Sequence, residues 1–280
     1  MTITKLVKGT ALAAALASGA MLAQDMAGAQ QTPASASTSM GAMAPGAMPA
    51  PYLAADQLPD STVLVPPPPA AGSAAMQRDE AGAKSAVAQR GSPRWTLAIA
   101  DAQLSPQALG ADFSCAAAIA IGPQTTPVLT KLLQRATADF AISARPAKKL
   151  YHRARPFTQN DQPICTPDAA EGLRKDGSYP SGHSTIGFGT ALVLAEVIPS
   201  RATALIARGR AFGDSRRICN VHWTSDIEEG RFMASAVFAR LNADPAFQAD
   251  LAAARAEVVR MQPGAGKDCA AESMALAATR

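Results

Sequence analysis

Thr126-Pro127 opens a segment in which Val128, Leu129, Leu132, Leu133, Ala136 and Phe140 fall on one stripe. That spacing, close to 3.6 residues, buries one face of an α-helix and cannot line one face of a strand. Alternating apolar and polar runs of useful length are missing throughout, so a sheet has nothing to be built from. Other helix starts are punctuated in the same manner. Ser105-Pro106 reads as an N-cap with a first-turn proline for a helix over 107–118, Pro93 precedes one over 95–103, and an Ala-rich one over 75–89 carries Asp79 and Glu80 near its start. Further helical segments are expected over 148–155, 184–198, 201–212, 226–242 and 245–261, with Pro146 ending or kinking the long striped helix and Pro156 closing the next. Gly187 and Gly189 weaken the 184–198 helix but let a neighbour come close, and 160–178 reads as a loop from its Asn, Asp, Pro and Gly content. The expected fold class is all-α, a single-domain helical bundle with an extended N-terminal arm.

The helical pattern begins late. Residues 1–29 read as a cleaved export signal: Lys5 and Lys8, an Ala/Leu run, then Ala27-Gly28-Ala29 as the cut site, with Ala23 an earlier alternative. Residues 30–51 form an Ala/Met/Pro-rich leader that cannot bury enough surface to offset its ordering entropy. The helical domain is expected over 52–280, opening with 52–72. There Leu58, Val63, Leu64 and Val65 precede the prolines at 66–69, as either an extended arm lying on the domain or a plain linker. Export to the periplasm makes Cys115, Cys165, Cys219 and Cys269 candidates for two disulfides, with all three connectivities open. Their wide spacing is a poor zinc box, so no metal and no other cofactor is expected. A net charge of +4 over 280 residues, no long basic run and only 3 Tyr and 2 Trp argue against nucleic acid as a partner. The most apolar stretch after the signal, 185–197, is shorter than the roughly 20 residues of a spanning helix.

Three polar segments stand out against this Ala-rich background. In Lys148-x6-Arg155-Pro156 a helical reading puts two cations two turns apart on one face, both able to point at one anion. Pro180-Ser181-Gly182-His183 leads straight into a helix, so a hydroxyl, an unhindered amide and an imidazole meet at a positive helix terminus. Ser215-Arg216-x5-His222-x3-Asp226 adds a guanidinium fork and a His-Asp pair. On one helical face the carboxylate would take the Nδ1 proton and leave Nε2 free as a nucleophile. His152 falls on the same helical face as Lys148 and Arg155 but has no ligand set around it, and reads as a packing or outer residue.

Taken in order, these segments resemble the signature shared by type-2 phosphatidic acid phosphatases, bacterial non-specific acid phosphatases and vanadium haloperoxidases. Gly177-Ser178-Tyr179 before the second segment, Ile218-Cys219 and His222-Trp223 in the third, and the arm at 64–69 are similar to class A bacterial acid phosphatases in particular. The resemblance implies a metal-independent acid phosphatase that hydrolyses small-molecule phosphomonoesters through a phosphohistidine. His222 would attack, Asp226 would orient it, and His183 would serve as acid and then base. Lys148, Arg155, Ser181, Gly182 and Arg216 would hold the phosphoryl oxygens. Two other readings are a vanadate-dependent haloperoxidase, since vanadate fits the same cage, and a non-catalytic phosphate-binding protein, which would need neither histidine. Association into a homo-oligomer is left open by the sequence.

Overall fold

The computed structural model describes residues 49–277; the signal and nearly all of the leader expected before residue 52 lie outside the described residues. In chain order the helices are α1 Ser61–Leu64, α2 Ala74–Val87, α3 Pro93–Ala100, α4 Pro106–Ala117, α5 Pro127–Ser143, α6 Arg145–Tyr151 and α7 Phe157–Asn160. They continue as α8 Ala170–Lys175, α9 Gly182–Val197, α10 Ala202–Ile218, α11 Thr224–Leu241, α12 Pro245–Val258 and α13 Ala270–Ala277. No strand forms among the described residues, only an isolated bridge between Ile119 and Gly264, so the all-α class stands. The starts are where the local chemistry puts them. Ser73, Ser92, Ser105 and Asp244 each accept the backbone N–H three residues on, at 2.9 to 3.2 Å, and a cap of this kind contributes about 1 kcal/mol.

α9 is the middle of the bundle, flanked by α5, α10, α11 and α12. It is apolar all round because it is covered all round. Its neighbours bring Leu129, Leu132 and Phe140 from α5, Phe212 from α10 and Val237 from α11, every one fully buried. Burying a side chain of that size contributes about 1.5–3 kcal/mol. Gly187 and Gly189 permit the closeness: a Cβ at Gly187 would run into the Phe212 ring, and one at Gly189 would lie 2.5 Å from Phe140.

The structure corrects several local expectations. Pro146 lies in the first turn of α6, where its missing N–H is no loss, so it starts a helix as α5 stops. α6 then ends at Tyr151 because His152 takes a left-handed backbone, φ 41°. Arg155 is therefore not on a helix with Lys148. Residues 160–178 are not plain loop, since α8 forms within them, and α10 continues past Phe212 to Ile218. Residues 52–72 are not wholly extended either, because they include α1 and a short 3-10 turn, Ala55–Gln57.

That N-terminal segment holds functional elements in position. The Tyr52 and Leu53 amides both donate to the buried Asp139 carboxylate of α5, at 2.9 and 3.0 Å. Further on, Ser61 Oγ accepts from the Ala147 amide of α6 at 3.1 Å, and the Tyr151 and Tyr179 hydroxyls donate to the Val65 and Pro66 carbonyls at 2.9 Å. Two disulfides close the chain: Cys115–Cys269 ties α4 to the start of α13, and Cys165–Cys219 ties the segment before α8 to the end of α10. No helix among the described residues is long and apolar enough to cross a membrane.

Candidate active site

The site forms where the start of α9, the end of α10 and the start of α11 meet. Ser181 caps α9: its Oγ accepts from the Ser184 amide at 3.3 Å and from Ser184 Oγ at 3.0 Å. Its own N–H donates to the Asp226 carbonyl at 2.9 Å, which ties the cap of α9 to the first turn of α11. His183 follows in the first turn of α9, partly buried, with Nε2 donating to the Ala102 carbonyl just past α3 at 3.1 Å. That bond leaves Nδ1 as the ring nitrogen that can exchange a proton with a ligand. Burial and the neighbouring Arg216 hold the His183 pKa well below the usual imidazole value.

His222 and Asp226 meet as their spacing suggested, but not on a shared helical face. His222 precedes α11, Trp223 is its N-cap and Asp226 lies in its first turn. One carboxylate oxygen of Asp226 accepts from the Trp223 amide at 2.9 Å and faces His222 Nδ1 at 3.1 Å. With Nδ1–H donated to Asp226, Nε2 carries the lone pair, and Arg155 Nη1 stands 3.1 Å from it. Burial, then Arg155 and Lys148, hold the His222 pKa well below the usual value. Both imidazoles are thus neutral near pH 7 until an anion arrives.

The three cations reach this point from different elements. Lys148 comes from α6, Arg155 from the chain beyond it and Arg216 from the last turn of α10. Each lowers the pKa of both histidines, so all three charges act on one spot. Lys148 donates to the Gly177 carbonyl at 2.6 Å, and burial brings its pKa down to about 8. Gly177 is needed for that approach, since a Cβ there would lie 2.9 Å from the Lys148 carbonyl and 3.0 Å from the His152 Cα. Arg216 is the most exposed of the three in energetic terms, although it is buried in space. Its Nε and Nη1 find no hydrogen-bond partner among the described residues, and burial followed by Arg155 lowers its pKa to about 10. A buried fork without a partner costs free energy unless an anion meets it.

Lys148, Arg155, Ser181, Gly182, His183, Arg216, His222 and Asp226 all converge here; His152 does not, being exposed at the end of α6. Sequence reasoning missed Arg153 and Asp79. Arg153 Nη1 donates to Asp226 at 2.7 Å and its Nη2 to Asp79 at 2.8 Å, with the guanidinium 5.3 Å from the Trp223 ring. Asp79, on α2, also accepts from the Ser225 amide at 2.8 Å, so α2 braces the first turn of α11. Burial pushes the Asp226 carboxyl up to about 6, against the pull of Arg153 and the Trp223 amide. Arg153 looked like any basic residue between Lys148 and Arg155, and Asp79 like a helix-start acid; only their distant partners distinguish them.

An all-helical cage with three converging cations, a helix-terminal amide and two imidazoles can hold an oxyanion and exchange a proton with it. Residues 128–246 match the PAP2 superfamily. The chain is 41% identical over 194 residues to an acid phosphatase of Zymomonas mobilis, covering 69% of this chain and 74% of that one. It is 39% identical over 209 residues to a non-specific acid phosphatase of Salmonella typhimurium, covering 74% and 84% of the two chains. It is 36% identical over 212 residues to that of Providencia stuartii, covering 75% and 86%. The chain belongs to the class A acid phosphatases of the PAP2 superfamily and is a phosphoric monoester hydrolase.

Proposed function

We propose that the hydrolysis runs through a phosphohistidine on His222 and needs no metal ion. The observation that carries this reading is the placement of His222, with Nδ1 3.1 Å from an Asp226 carboxylate oxygen and Nε2 3.1 Å from the Arg155 guanidinium, an arrangement that favours Nδ1–H and a lone pair on Nε2. That is a neutral imidazole held in its nucleophilic tautomer. The Nε2 lone pair attacks phosphorus as the bond to the ester oxygen breaks, and His183 gives its Nδ1 proton to the departing alkoxide. Water then adds to phosphorus while His183 takes a proton from it, the N–P bond breaks, and inorganic phosphate leaves. Lys148, Arg155, Arg216, the Ser181 hydroxyl and the Gly182 amide hold the phosphoryl oxygens, supplying from fixed cations the charge stabilisation a metal provides elsewhere. A Cβ at Gly182 would meet nothing within 4 Å, so packing gives no reason for glycine there; an oxyanion approaching the amide does.

The first step needs His183 protonated and His222 neutral. Burial and the cations hold both well below the ordinary range. A phosphate dianion favours the protonated form of each. The rate therefore rises as pH falls into the acid range and drops again once His222 takes a proton, a bell whose limbs belong to the coupled pair. Two disulfides fit an oxidising compartment, and we extend the reading to periplasmic export with cleavage after Ala29 or Ala23.

The test is turnover of p-nitrophenyl phosphate with and without chelator, followed by alkaline quench and mass spectrometry. Activity should survive the chelator, His222→Ala should carry no phosphohistidine, and His183→Ala should form it from this good leaving group and then stall. Phosphate found on His183 of the unaltered enzyme would reverse the two roles.

A further inference from the structure

The hydrogen bonds of Arg155 bear on how phosphate enters. A guanidinium has five N–H groups. Nε donates to the Leu173 and Asp176 carbonyls at 2.9 and 3.1 Å, and Nη1 faces the Val221 carbonyl at 2.9 Å and His222 Nε2 at 3.1 Å. Nη2 donates to Asp176 Oδ2 at 3.1 Å and to the Gly177 carbonyl at 3.3 Å. Every N–H is engaged, so Arg155 can hold a phosphoryl oxygen only by releasing a partner. The carbonyls of Val221 and Gly177 belong to buried backbone, Gly177 is wedged against the end of α6, and in the proposed mechanism His222 Nε2 leaves Nη1 only when it attacks phosphorus, after the anion has bound. The Asp176 carboxylate differs. It is 53% exposed, it turns on side-chain bonds, and the same Oδ2 stands 3.4 Å from Lys148 Nζ.

We infer that the Asp176 carboxylate is a built-in competitor of the substrate, its Oδ2 bridging Lys148 and Arg155 in the position a phosphoryl oxygen takes, so that phosphate binds by exchange with it. The inference rests on reading Lys148 and Arg155 as phosphate-binding residues. In the resting enzyme the bridge lessens the cost of two nearly buried cations. Because the carboxylate is half in water, its hold is weak, and a phosphate dianion making charge-assisted bonds to several donors displaces it. There is room for it to move. Asp176, Arg155, His152, Leu173 and Arg174 line a cavity of about 320 Å³ that can take the released carboxylate. Arg216 has no such carboxylate and stays open to the incoming anion. The exchange subtracts from the affinity of substrate and product alike, so that inorganic phosphate is not retained.

The measurement compares the full chain with Asp176→Asn, which keeps the shape and removes the charge. It reads KM for p-nitrophenyl phosphate, Ki for inorganic phosphate and, by calorimetry, phosphate Kd, each at low and high salt. KM, Ki and Kd should all fall, by about two- to five-fold at low salt, the size of an exposed pair, and the gain should shrink at high salt. Values that rise or stay the same would mean that Asp176 orients the two cations and phosphate binds beside it, which overturns the exchange. Should the asparagine variant fold poorly, Asp176→Ser with phosphate Kd as readout decides between the same two outcomes. An unaltered enzyme that binds phosphate but turns over no ester would defeat the proposed mechanism and leave the Kd comparison to decide the exchange.

Discussion

α10 carries two buried arginines, and they are solved in opposite ways. Arg208 is surrounded: Nη2 and Nη1 donate to Asp101 at 2.5 and 3.2 Å, and Nε reaches Glu272 of α13 at 3.1 Å and the Asp112 carbonyl at 3.0 Å. Burial works against its charge, but Asp101, Glu272 and Asp112 overcome this and hold its pKa above the usual arginine value. Two turns on, Arg216 is just as buried, has two nitrogens without partners and is pushed the other way, down to about 10. Between them Ser215 donates its hydroxyl to Asp101, on the structural side of the helix. The difference teaches how to read a buried cation. Arg208 has its carboxylates supplied by the chain and is part of the fold, whereas Arg216 has none within ion-pair distance among the described residues, and under the proposed function a phosphoryl group supplies the counter-charge.

Breaking the structural end should have the larger effect on stability. Arg208→Met leaves the buried Asp101 carboxylate with only the Ser215 hydroxyl, and Glu272 with only Lys267, and should cost about 3–5 kcal/mol in urea denaturation. A loss under about 1 kcal/mol would mean that the cluster contributes nothing net. Arg216→Met should lower kcat/KM by about 10²–10³, or ~2.7–4 kcal/mol of transition-state stabilisation, while leaving the melting temperature unchanged or raised, because an unpaired buried charge has been removed. Phosphate should then raise the melting temperature less than it does in the unaltered enzyme. Arg216→Lys should recover only part of the activity, having lost the fork.

The two ends also differ in how they respond to pH. Burial and Asp101 push the Asp112 carboxyl up to about 7, and its Oδ2 has no partner among the described residues. Its contribution to stability is therefore present below the ordinary carboxylate range and lost as pH rises through about 7. The depressed imidazoles of the active site act in the opposite direction. Their contribution is present above the ordinary histidine value and lost as pH falls. Asp112→Asn should accordingly stabilise by about 1 kcal/mol at pH 8 and have little effect at pH 5. Destabilisation that is greater at pH 8 would show that Asp112 is ionised and paired with Arg208.

Much of this molecule was legible before any coordinates. Cap and proline punctuation located α3 to α5 closely, because caps and first-turn prolines act within three or four residues of themselves, and an Ala-rich run located α2. The eight residues singled out from the sequence do come together in the fold, although their sequence order says nothing of how they would be brought there. The geometry argued for them was less secure. Lys148 and Arg155 were assigned one helical face, yet His152 turns the chain between them, and His222 and Asp226 meet around a helix start. The convergence survived because several backbone paths bring the same atoms together.

Local sequence by itself determined the all-α class and most helix starts, which follow from interactions a few residues long. Only the tertiary structure decided the disulfide pairing, with separations of 154 and 54 residues. The same holds for the brace from Asp79 to Ser225, 146 residues apart, and for the attachment of Arg153 to Asp226, 73 apart. It also decided that Arg208 is neutralised while Arg216 is left open. Two arginines on one helix look alike in sequence, because the free energy of a buried charge depends on which distant carboxylates the folded chain brings within reach.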